Sequence, residues 1–463
     1  MTLIRSISGI RGTIGRKPGE GLTPPDIVKF TSAYAKWLKK QTGKKRYRVI
    51  VGRDARISGT MVNQIVCGTL TGMGIDVVDS GPSSTPTVEM AVMSEKADGG
   101  IIITASHNPV EWNALKLLDG NGEFLTADDG EELLDIAENG VFEYAEVFEL
   151  GSYRTDSTFD EKHIGAVLAL PLVDVEAIRK RRFSIVIDCV NSVGGIILTR
   201  LLRALGVNNV IELNCNPDGR FAHNPEPLPE HLQQLSEAVT GSGADLGFAT
   251  DPDVDRLAII NEDGSMFGEE YTLVAVADYV LSVNPGNTVS NLSSTKALRE
   301  VTEKYGGSYT ASAVGEVNVT AEMKRTGAVI GGEGNGGVIY PDLHYGRDAL
   351  AGIALFLSHL AKSGMKCSDM RRKYPDYYLS KNKIRLSGDI NIDLVMERIK
   401  AAYQNYPINL TDGVRIEFPK GWVHLRKSNT EPIIRIYSEA SDREQAERLA
   451  GMIMKQAGGH EDA

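Results

Sequence analysis

The chain has 463 residues, and its 50 lysines and arginines against 61 aspartates and glutamates give a formal net charge of −11. Hydrophobic residues make up 42% and charged residues 24%, which is typical of a folded globular protein and excludes disordered and collagen-like architectures. The acidic balance argues against nucleic-acid and membrane partners, although a locally basic pocket for an anionic substrate stays compatible with it.

Three stretches of the chain share one order of predicted elements: strand, helix, strand, helix, strand and then a polar loop. They begin with predicted strands at 47–51, 183–188 and 288–294, and they end in the loops TASHNP (104–109), DPDVDR (251–256) and GEGNGG (332–337). Strands that alternate with helices predict crossover units and a mainly parallel sheet. Because ligands bind at the carboxyl ends of such strands, we expect three similar mixed α/β domains that direct these loops into one central cleft.

After about Tyr377 the pattern changes. Short adjacent strands and two helices predict a smaller C-terminal α+β domain, and the loop RKSNTEP lies between two of its strands. The predicted α/β domains are 1–155, 156–262 and 263–376, and the predicted α+β domain is 377–463.

Ser106 stands in TASHNP, directly after a predicted strand, where its hydroxyl would be exposed on a turn. We interpret it as a candidate nucleophile or phosphate carrier, although in isolation the motif is more typical of a polar turn. A serine–histidine hydrolase dyad is not favoured, because the adjacent side chains of Ser106 and His107 are expected to diverge. The sequence also lacks a G-x-S-x-G elbow.

The loop DPDVDR places Asp251, Asp253 and Asp255 at alternate positions. In an extended chain alternate side chains share a face, so these carboxylates can converge on one cation. Three carboxylates without a soft ligand suit a hard ion such as Mg²⁺, which keeps positions open for phosphate oxygens or water. An acidic hairpin without a metal is disfavoured, because unpaired carboxylates repel one another.

Two further loops suit a phosphorylated sugar. GEGNGG formally matches a dinucleotide-binding fingerprint, but VIYPDL follows where a helix should begin. We interpret it as a flexible loop whose Glu333 and Asn335 reach a polyhydroxylated ligand, with a Gly-rich turn without a role as the alternative. RKSNTEP offers a guanidinium, hydroxyls and an amide that can bind a phosphate dianion, with a polar hairpin turn as the alternative.

Basic residues elsewhere can also neutralise the charge of an anionic substrate, although each of them alone is typical of a solvated surface. They are Arg11, Arg53, Arg56, Lys116, Arg256 and Arg347. Our candidate catalytic residues besides Ser106 are Lys116, Arg11, His107 and Arg256.

Together these loops resemble those of the α-D-phosphohexomutases, the superfamily that holds phosphoglucomutase, phosphomannomutase and phosphoglucosamine mutase. The resemblance covers nearly the whole chain, and four motifs stand in the family's order. It implies three α/β domains and a C-terminal fourth around a central cleft, in agreement with the internal repeat.

The resemblance also implies a role for each loop. It places the phosphate carrier at Ser106, and Mg²⁺ on Asp251, Asp253 and Asp255 with the Ser106 phosphate as a further ligand. It implies that ring hydroxyls are bound by Glu333 and Asn335, and the non-reacting phosphate by Arg426, Ser428, Asn429 and Thr430. Arg11 in SGIRG and Lys116 in NALK match family positions near the transferred phosphate.

The reaction that the resemblance implies interconverts hexose 6-phosphate and hexose 1-phosphate. The Ser106 phosphate passes to the sugar, and the resulting bisphosphate turns round and returns its other phosphate, so a sugar 1,6-bisphosphate is the expected activator. A phosphatase or phosphotransferase that uses the same serine and metal, and a non-catalytic sugar-phosphate binding protein, are the alternatives.

The substrate end departs from the family pattern. Many members have GEMSGH or GEQSGH as the sugar loop, whereas here Asn335 replaces the serine and Gly337 the histidine; the histidine of many phosphomannomutases is also missing near Gly315. Asn429 stands where phosphoglucosamine mutases often carry glycine, so this position argues against a phosphoglucosamine mutase. The pattern from SISGIRGTIG through GGEGNGG and GRDAL resembles phosphoglucosamine mutases. The expected substrate is therefore glucosamine 6-phosphate, with phosphoglucomutase/phosphomannomutase activity as the alternative.

Location and partners are expected from the same sequence. MTLIRSISGIRG lacks an apolar signal core, and no apolar run is long enough to span a bilayer. We expect a cytoplasmic protein whose partner is a small-molecule phosphosugar, without nucleic-acid or membrane partners, as a monomer or homodimer.

Overall fold

The computed structural model describes residues 2–6, 9–385, 392–427 and 433–457. Four sheets follow one another along these residues, and each sheet lies within one of the four predicted segments. The predicted architecture of three α/β units and a C-terminal α+β unit is confirmed, while the boundaries at 155, 262 and 376 stay predictions. Among these residues, no helix combines the length and the apolar character needed to cross a bilayer.

The first sheet has seven strands in the order β1-β2-β6-β5-β3-β4-β7. Its strands are β1 (Ile4–Ser6), β2 (Gly9–Thr13), β3 (Tyr47–Arg53), β4 (Ile75–Pro82), β5 (Gly99–Ile103), β6 (Trp112–Leu118) and β7 (Tyr153–Thr155). The helices of this part are α1 (Pro24–Thr42), α2 (Gly59–Gly72), α3 (Thr85–Ser94) and α4 (Ala127–Asn139). The side chain of Ser84 fixes the start of α3 by accepting the backbone N–H of Thr87.

The second sheet has four strands in the order β11-β10-β8-β9. They are β8 (Ser184–Asp188), β9 (Asn209–Leu213), β10 (Leu246–Thr250) and β11 (Leu257–Asn261), accompanied by α5 (Phe159–Leu168), α6 (Val175–Arg181), α7 (Gly194–Ala204) and α8 (Gln233–Ser242). All five residues of β10 and of β11 are buried, which agrees with strands covered on both faces by helices.

The third sheet has the order β13-β12-β14-β15. Its strands are β12 (Asn287–Asn291), β13 (Tyr309–Ser312), β14 (Ala328–Glu333) and β15 (Gly337–Ile339). Its helices are α9 (Glu269–Val283), α10 (Ala297–Lys304), α11 (Glu316–Thr326), α12 (Ala349–Ser363) and α13 (Cys367–Arg371). Asp348 caps α12 by accepting the backbone N–H groups of Leu350 and Ala351.

The fourth sheet is entirely antiparallel, in the order β16-β20-β19-β18-β17. It consists of β16 (Tyr378–Arg385), β17 (Ile408–Asn409), β18 (Val414–Phe418), β19 (Gly421–Lys427) and β20 (Ile433–Ala440), with helices α14 (Ile392–Ala402) and α15 (Arg443–Ala457). This unit has its own apolar core, centred on residues such as Ile416, Val423 and Ile436.

The internal repeat is visible in the topology of the first three sheets. In each, the first strand of the repeat is central and pairs in parallel with the second and third strands, as in β5-β3-β4, β10-β8-β9 and β14-β12-β13. An antiparallel strand follows the third strand in each sheet: β6, β11 and β15.

The first sheet is mixed: β5, β3, β4 and β7 pair in parallel, as expected, whereas β1, β2, β6 and β5 pair antiparallel. The N-terminal strands return to the far edge of the sheet, beside β6, which is a long-range pairing that local periodicity does not encode.

The second and third units share one apolar core. Phe356 of α12 makes edge-to-face contacts with Phe248 of β10 and with Phe267, at ring-centroid distances of 6.2 and 5.2 Å. The same buried cluster includes Ile187 of β8 and Ile330 of β14. This continuous core fixes the loops that follow β10 and β14 relative to each other, because packed interiors deform little.

Candidate active site

The polar loops that follow the third strand of each repeat meet the fourth unit at one cleft of about 810 Å³. Ser106, Arg256, Asn335 and Arg426, one residue from each predicted segment, line it. The size is within the range of small-molecule sites, and the lining is rich in charged groups.

Ser106 lies in the loop between β5 and β6 in a left-handed backbone conformation, with φ of 49°. Its backbone N–H donates to Oγ1 of Thr104 at 2.9 Å, and its Oγ donates to Oδ2 of Asp251 at 2.7 Å. A non-glycine residue in this conformation is uncommon and is maintained only when the surroundings determine it. The hydroxyl therefore faces the loop DPDVDR (251–256) of the second unit, which we call the acidic loop.

Arg56 provides many of the contacts that hold the Ser106 backbone in this conformation. Its fully buried guanidinium donates to the backbone carbonyls of the loop residues Ser106, Asn108 and Pro109 and of Trp112, the first residue of β6. Its Nε donates to Oδ2 of Asp54 at 3.0 Å, and Asp54 also accepts the Thr104 hydroxyl. In the sequence, Arg56 is only one of six candidate basic residues, whereas in the structure its guanidinium lies at the centre of the loop that carries Ser106.

Replacing Arg56 with alanine is expected to destabilise the protein by about 3–5 kcal/mol, because Asp54 then stays buried without its cation. Urea unfolding measures the loss, and amide hydrogen exchange of residues 104–112 should accelerate first. Arg53→Ala is the matched control, since Arg53 donates one hydrogen bond to the Asp54 carbonyl; equal losses in both variants would contradict this role.

The three aspartates converge, although not in the way the sequence suggested. Residues 251–254 form a turn, in which the Val254 N–H donates to the Asp251 carbonyl at 3.1 Å and Val254 has φ of 62°. The expectation of an extended segment is thus wrong. One carboxylate oxygen from each of Asp251, Asp253 and Asp255 lies within 4.8 Å of the others, and all three side chains are buried.

This carboxylate group fits a divalent cation. Oδ1 of Asp253 and Oδ1 of Asp255 are buried and have no hydrogen-bond partner among the described residues. Buried carboxylate oxygens are ordinarily paired, so two oxygens without a hydrogen bond in one carboxylate cluster fit a site for a cation. The donors are all hard oxygens, the kind that Mg²⁺ prefers.

Two basic side chains, one from the first unit and one from the third, bond to these carboxylates. Lys116 of β6 donates to Oδ2 of Asp253 at 2.7 Å, and Arg347 donates to Oδ2 of Asp255 at 2.6 Å. Burial disfavours the Lys116 ammonium, but the charges of Asp253 and Asp255 outweigh burial and raise its pKa. Burial and the charges of Asp255 and Asp253 raise the pKa of Asp251 well above its usual range.

The sugar loop presents one carboxylate and one amide. Glu333 accepts the side-chain amide of Asn291 at 2.8 Å and Arg347 Nη1 at 2.7 Å, while the Asn335 side chain accepts the Gly337 N–H. Burial would raise the pKa of Glu333, but the Arg347 guanidinium, the Asn291 amide and the Arg256 charge together hold it below its usual value. Both side chains line the cleft, and the chain after the loop continues in β15 and not in a helix.

His107 differs from expectation. Its Nδ1 lies 3.3 Å from Oγ of Ser106, so the prediction that the two side chains diverge is wrong. The left-handed φ of Ser106 turns the chain enough to bring them together. Burial and the charges of Arg256 and Arg11 lower the pKa of His107 well below its ordinary value, which leaves the ring neutral.

The remaining candidates are placed as follows. Arg11 donates to the Asn108 side chain at 2.8 Å, Arg256 lies 3.6 Å from Glu226, and both line the cleft. Arg426 is buried on β19, opposite Arg435 of β20, and also lines it. Ser428, Asn429 and Thr430 lie outside the described residues, and their predicted phosphate-binding role stays a prediction.

Sequence reasoning missed the connecting role of Arg347. Its guanidinium contacts Asp255, Glu333 and Glu316, so it joins the acidic loop to the sugar loop. Glu316 at the start of α11 was not identified at all. In the sequence, Arg347 is one of six basic residues that can pair with an anionic substrate, and it lies in the GRDAL segment that forms part of the family resemblance.

Comparisons with known proteins agree with this geometry. The profile described as phosphoglucomutase/phosphomannomutase, alpha/beta/alpha domain I, matches residues 3–143; those of domains II and III match 161–264 and 268–378, and that of the C-terminal domain matches 384–456.

Curated relatives extend over the same length. The chain is 38% identical over 440 residues to a phosphoglucomutase/phosphomannomutase of Thermococcus kodakarensis, covering 95% of this chain and 94% of that one. It is 35% identical over 447 residues to a probable phosphoglucosamine mutase of Methanopyrus kandleri, covering 96% and 95%.

A solved structure matches the whole fold. A crystal structure of a phosphoglucomutase/phosphomannomutase family protein from Burkholderia thailandensis has a TM-score of 0.86 and 27% identity, covering 99% of this chain and 98% of that one. With all four domain profiles matched in order, the chain belongs to the phosphoglucomutase/phosphomannomutase family of the α-D-phosphohexomutase superfamily and is a phosphohexomutase.

Proposed function

We propose that this phosphohexomutase carries its phosphate on Ser106 and converts glucosamine 6-phosphate to glucosamine 1-phosphate through a bisphosphorylated sugar. The observation that carries the proposal is the Ser106 hydroxyl, 2.7 Å from Oδ2 of Asp251 and on the wall of a cleft lined by cationic side chains. A hydroxyl beside a candidate Mg²⁺ site is suited to phosphoryl transfer, which depends on positioning and charge stabilisation.

In the proposed reaction, phosphorylated Ser106 gives its phosphoryl group to a sugar hydroxyl. The bond from phosphorus to Oγ breaks, a bond to the sugar oxygen forms, and the sugar's hydroxyl proton passes to Oγ. The sugar bisphosphate turns round inside the cleft, and its other phosphate returns to Ser106 by the reverse exchange. The volume of about 810 Å³ leaves room for this reorientation.

The side chains around Ser106 have distinct roles in this proposal. Asp251, Asp253 and Asp255 would hold Mg²⁺, which when bound neutralises negative charge on the transferring group. The Lys116 ammonium and the Arg11 guanidinium stabilise the equatorial phosphate oxygens. Arg426 binds the phosphate that is not reacting, and Glu333 and Asn335 bind ring hydroxyls.

The choice of an amino sugar rests on the sequence pattern and on the Methanopyrus relative with a phosphoglucosamine mutase name. A second candidate, phosphoglucomutase/phosphomannomutase activity, is favoured by the Thermococcus relative of that name at 38% identity. The two candidates share the Ser106 chemistry and differ only in the sugar.

A coupled assay with glucosamine 6-phosphate, glucose 1-phosphate and mannose 1-phosphate separates them. We expect the highest kcat/KM with glucosamine 6-phosphate, and dependence on Mg²⁺ and on priming by a sugar 1,6-bisphosphate. A preference for either hexose would favour the second candidate. Steady release of inorganic phosphate without isomerised product would instead indicate a phosphatase.

A further inference from the structure

Five glutamates line the cleft, and one of them differs from the rest in its electrostatic partners. Four have a basic side chain within 4.0 Å: Glu226 with Arg256, Glu269 with Lys381, and both Glu316 and Glu333 with Arg347. Glu270 lines the same cleft, yet in the described part of the chain no lysine, arginine or histidine nitrogen lies that close to its carboxylate.

Glu270 is half-buried in the first turn of α9, directly against the sugar loop. One of its oxygens accepts the Thr295 N–H at 2.8 Å. A β-carbon added to Gly334 would lie 2.0 and 2.2 Å from its two carboxylate oxygens. The glycine between Glu333 and Asn335 therefore provides the space that this carboxylate occupies, beside the two residues proposed to bind ring hydroxyls.

The ammonium group that faces Glu270 is already paired with a different carboxylate, and the other charged groups that face Glu270 are acidic. These groups are Lys381 on β16, Glu269 on its own helix and Glu439 on β20, and the Lys381 ammonium is bound to Glu269. Burial, only partly offset by Lys381, raises the pKa of Glu270 well above its usual value. An ammonium group arriving in the cleft would supply the missing charge and favour ionisation.

We propose that Glu270 binds the C2 ammonium of an amino-sugar phosphate and thereby selects it over a neutral hexose phosphate. This inference rests on the proposed mutase function and names the residue that determines its substrate class. The amine of glucosamine is protonated near neutral pH, whereas a hexose has a hydroxyl and N-acetylglucosamine an uncharged amide at that carbon. A carboxylate beside the sugar loop distinguishes these groups by charge.

The test compares wild type with Glu270→Gln, which keeps the shape and the acceptor for the Thr295 N–H. Glu226→Gln removes the same charge from another wall of the cleft and is the matched control. Calorimetry measures binding of glucosamine 6-phosphate, glucose 6-phosphate and N-acetylglucosamine 6-phosphate, and coupled assays measure kcat/KM for the first two. Glu270→Asp keeps the charge and is expected to keep part of the preference.

We expect the wild type to prefer glucosamine 6-phosphate by about tenfold or more, the scale of one charge-assisted contact. Glu270→Gln should bring the ratio near one while keeping turnover of glucose phosphate, and Glu226→Gln should keep the ratio. A wild type without the preference, or an unchanged ratio in Glu270→Gln, would overturn the inference. Absence of turnover with every sugar would instead overturn the mutase proposal, and the binding ratios would still decide the role of Glu270.

Discussion

Replacing Ser106 with alanine is expected to lower kcat for sugar-phosphate isomerisation by at least about 10⁴-fold, the scale seen when a covalent nucleophile is removed. The proposed reaction depends on Oγ of Ser106, which lines the cleft and lies 2.7 Å from Oδ2 of Asp251. Coupled assays measure the loss with saturating Mg²⁺ and sugar bisphosphate.

Ser83→Ala is the matched control for this variant. Ser83 is also buried in the first unit, but its hydroxyl donates to the Ser80 carbonyl and not into the cleft. The control should keep its activity. Both variants should unfold within about 2 kcal/mol of the wild type, because Ser83 loses one hydrogen bond and Ser106 loses its bonds to Asp251 and His107. Substantial isomerisation by Ser106→Ala would be incompatible with a phosphate carrier at this position.

Replacing Asp253 with asparagine is expected to weaken Mg²⁺ activation at least tenfold and to lower kcat by about 10³-fold. Metal charge supplies several kcal/mol of stabilisation in phosphoryl transfer, and a neutral amide is a weaker ligand than a carboxylate. Asp253 also accepts from Lys116 at 2.7 Å and from the Thr85 hydroxyl at 2.6 Å, so the variant also removes the negative charge that pairs with Lys116. The measurement is activity against Mg²⁺ concentration after removal of metal with a chelator.

Asp263→Asn serves as the control, because Asp263 is an exposed acidic residue that bonds to Ser265 in the turn after β11. It should show the wild-type Mg²⁺ dependence. If the two variants respond alike to Mg²⁺, the buried aspartates are not the metal ligands. A thermal scan of both proteins separates loss of metal from loss of fold.

Much of the fold could be predicted because the central strand of each repeat is largely buried. The apolar runs that predicted β3, β8 and β12 are central strands, and the helices between them cover both sides. Pairing between distant segments could not be predicted in the same way. The partnership of β2 with β6 joins residues about a hundred positions apart, and neither strand carries a signal for the other.

The candidate site was predicted where chemistry depends on residue type and loop position, and not where it depends on conformation. Clustering of the three aspartates followed from their spacing in one short loop, but the turn around Val254 did not. The contact of His107 with Ser106 depends on one left-handed φ, and the position of Arg347 depends on packing between two units. Such features arise from tertiary structure, so they leave no local pattern.

The central claim is that the hydroxyl of Ser106 carries the phosphate that is exchanged with the sugar. Intact-mass and peptide mass spectrometry after incubation with a sugar 1,6-bisphosphate and Mg²⁺ tests it most directly. We expect an added mass of about 80 Da located on Ser106, lost when hexose monophosphate is added and absent from Ser106→Ala. A protein that isomerises its substrate while Ser106 stays unmodified throughout, or that carries the phosphate on another residue, would contradict the account.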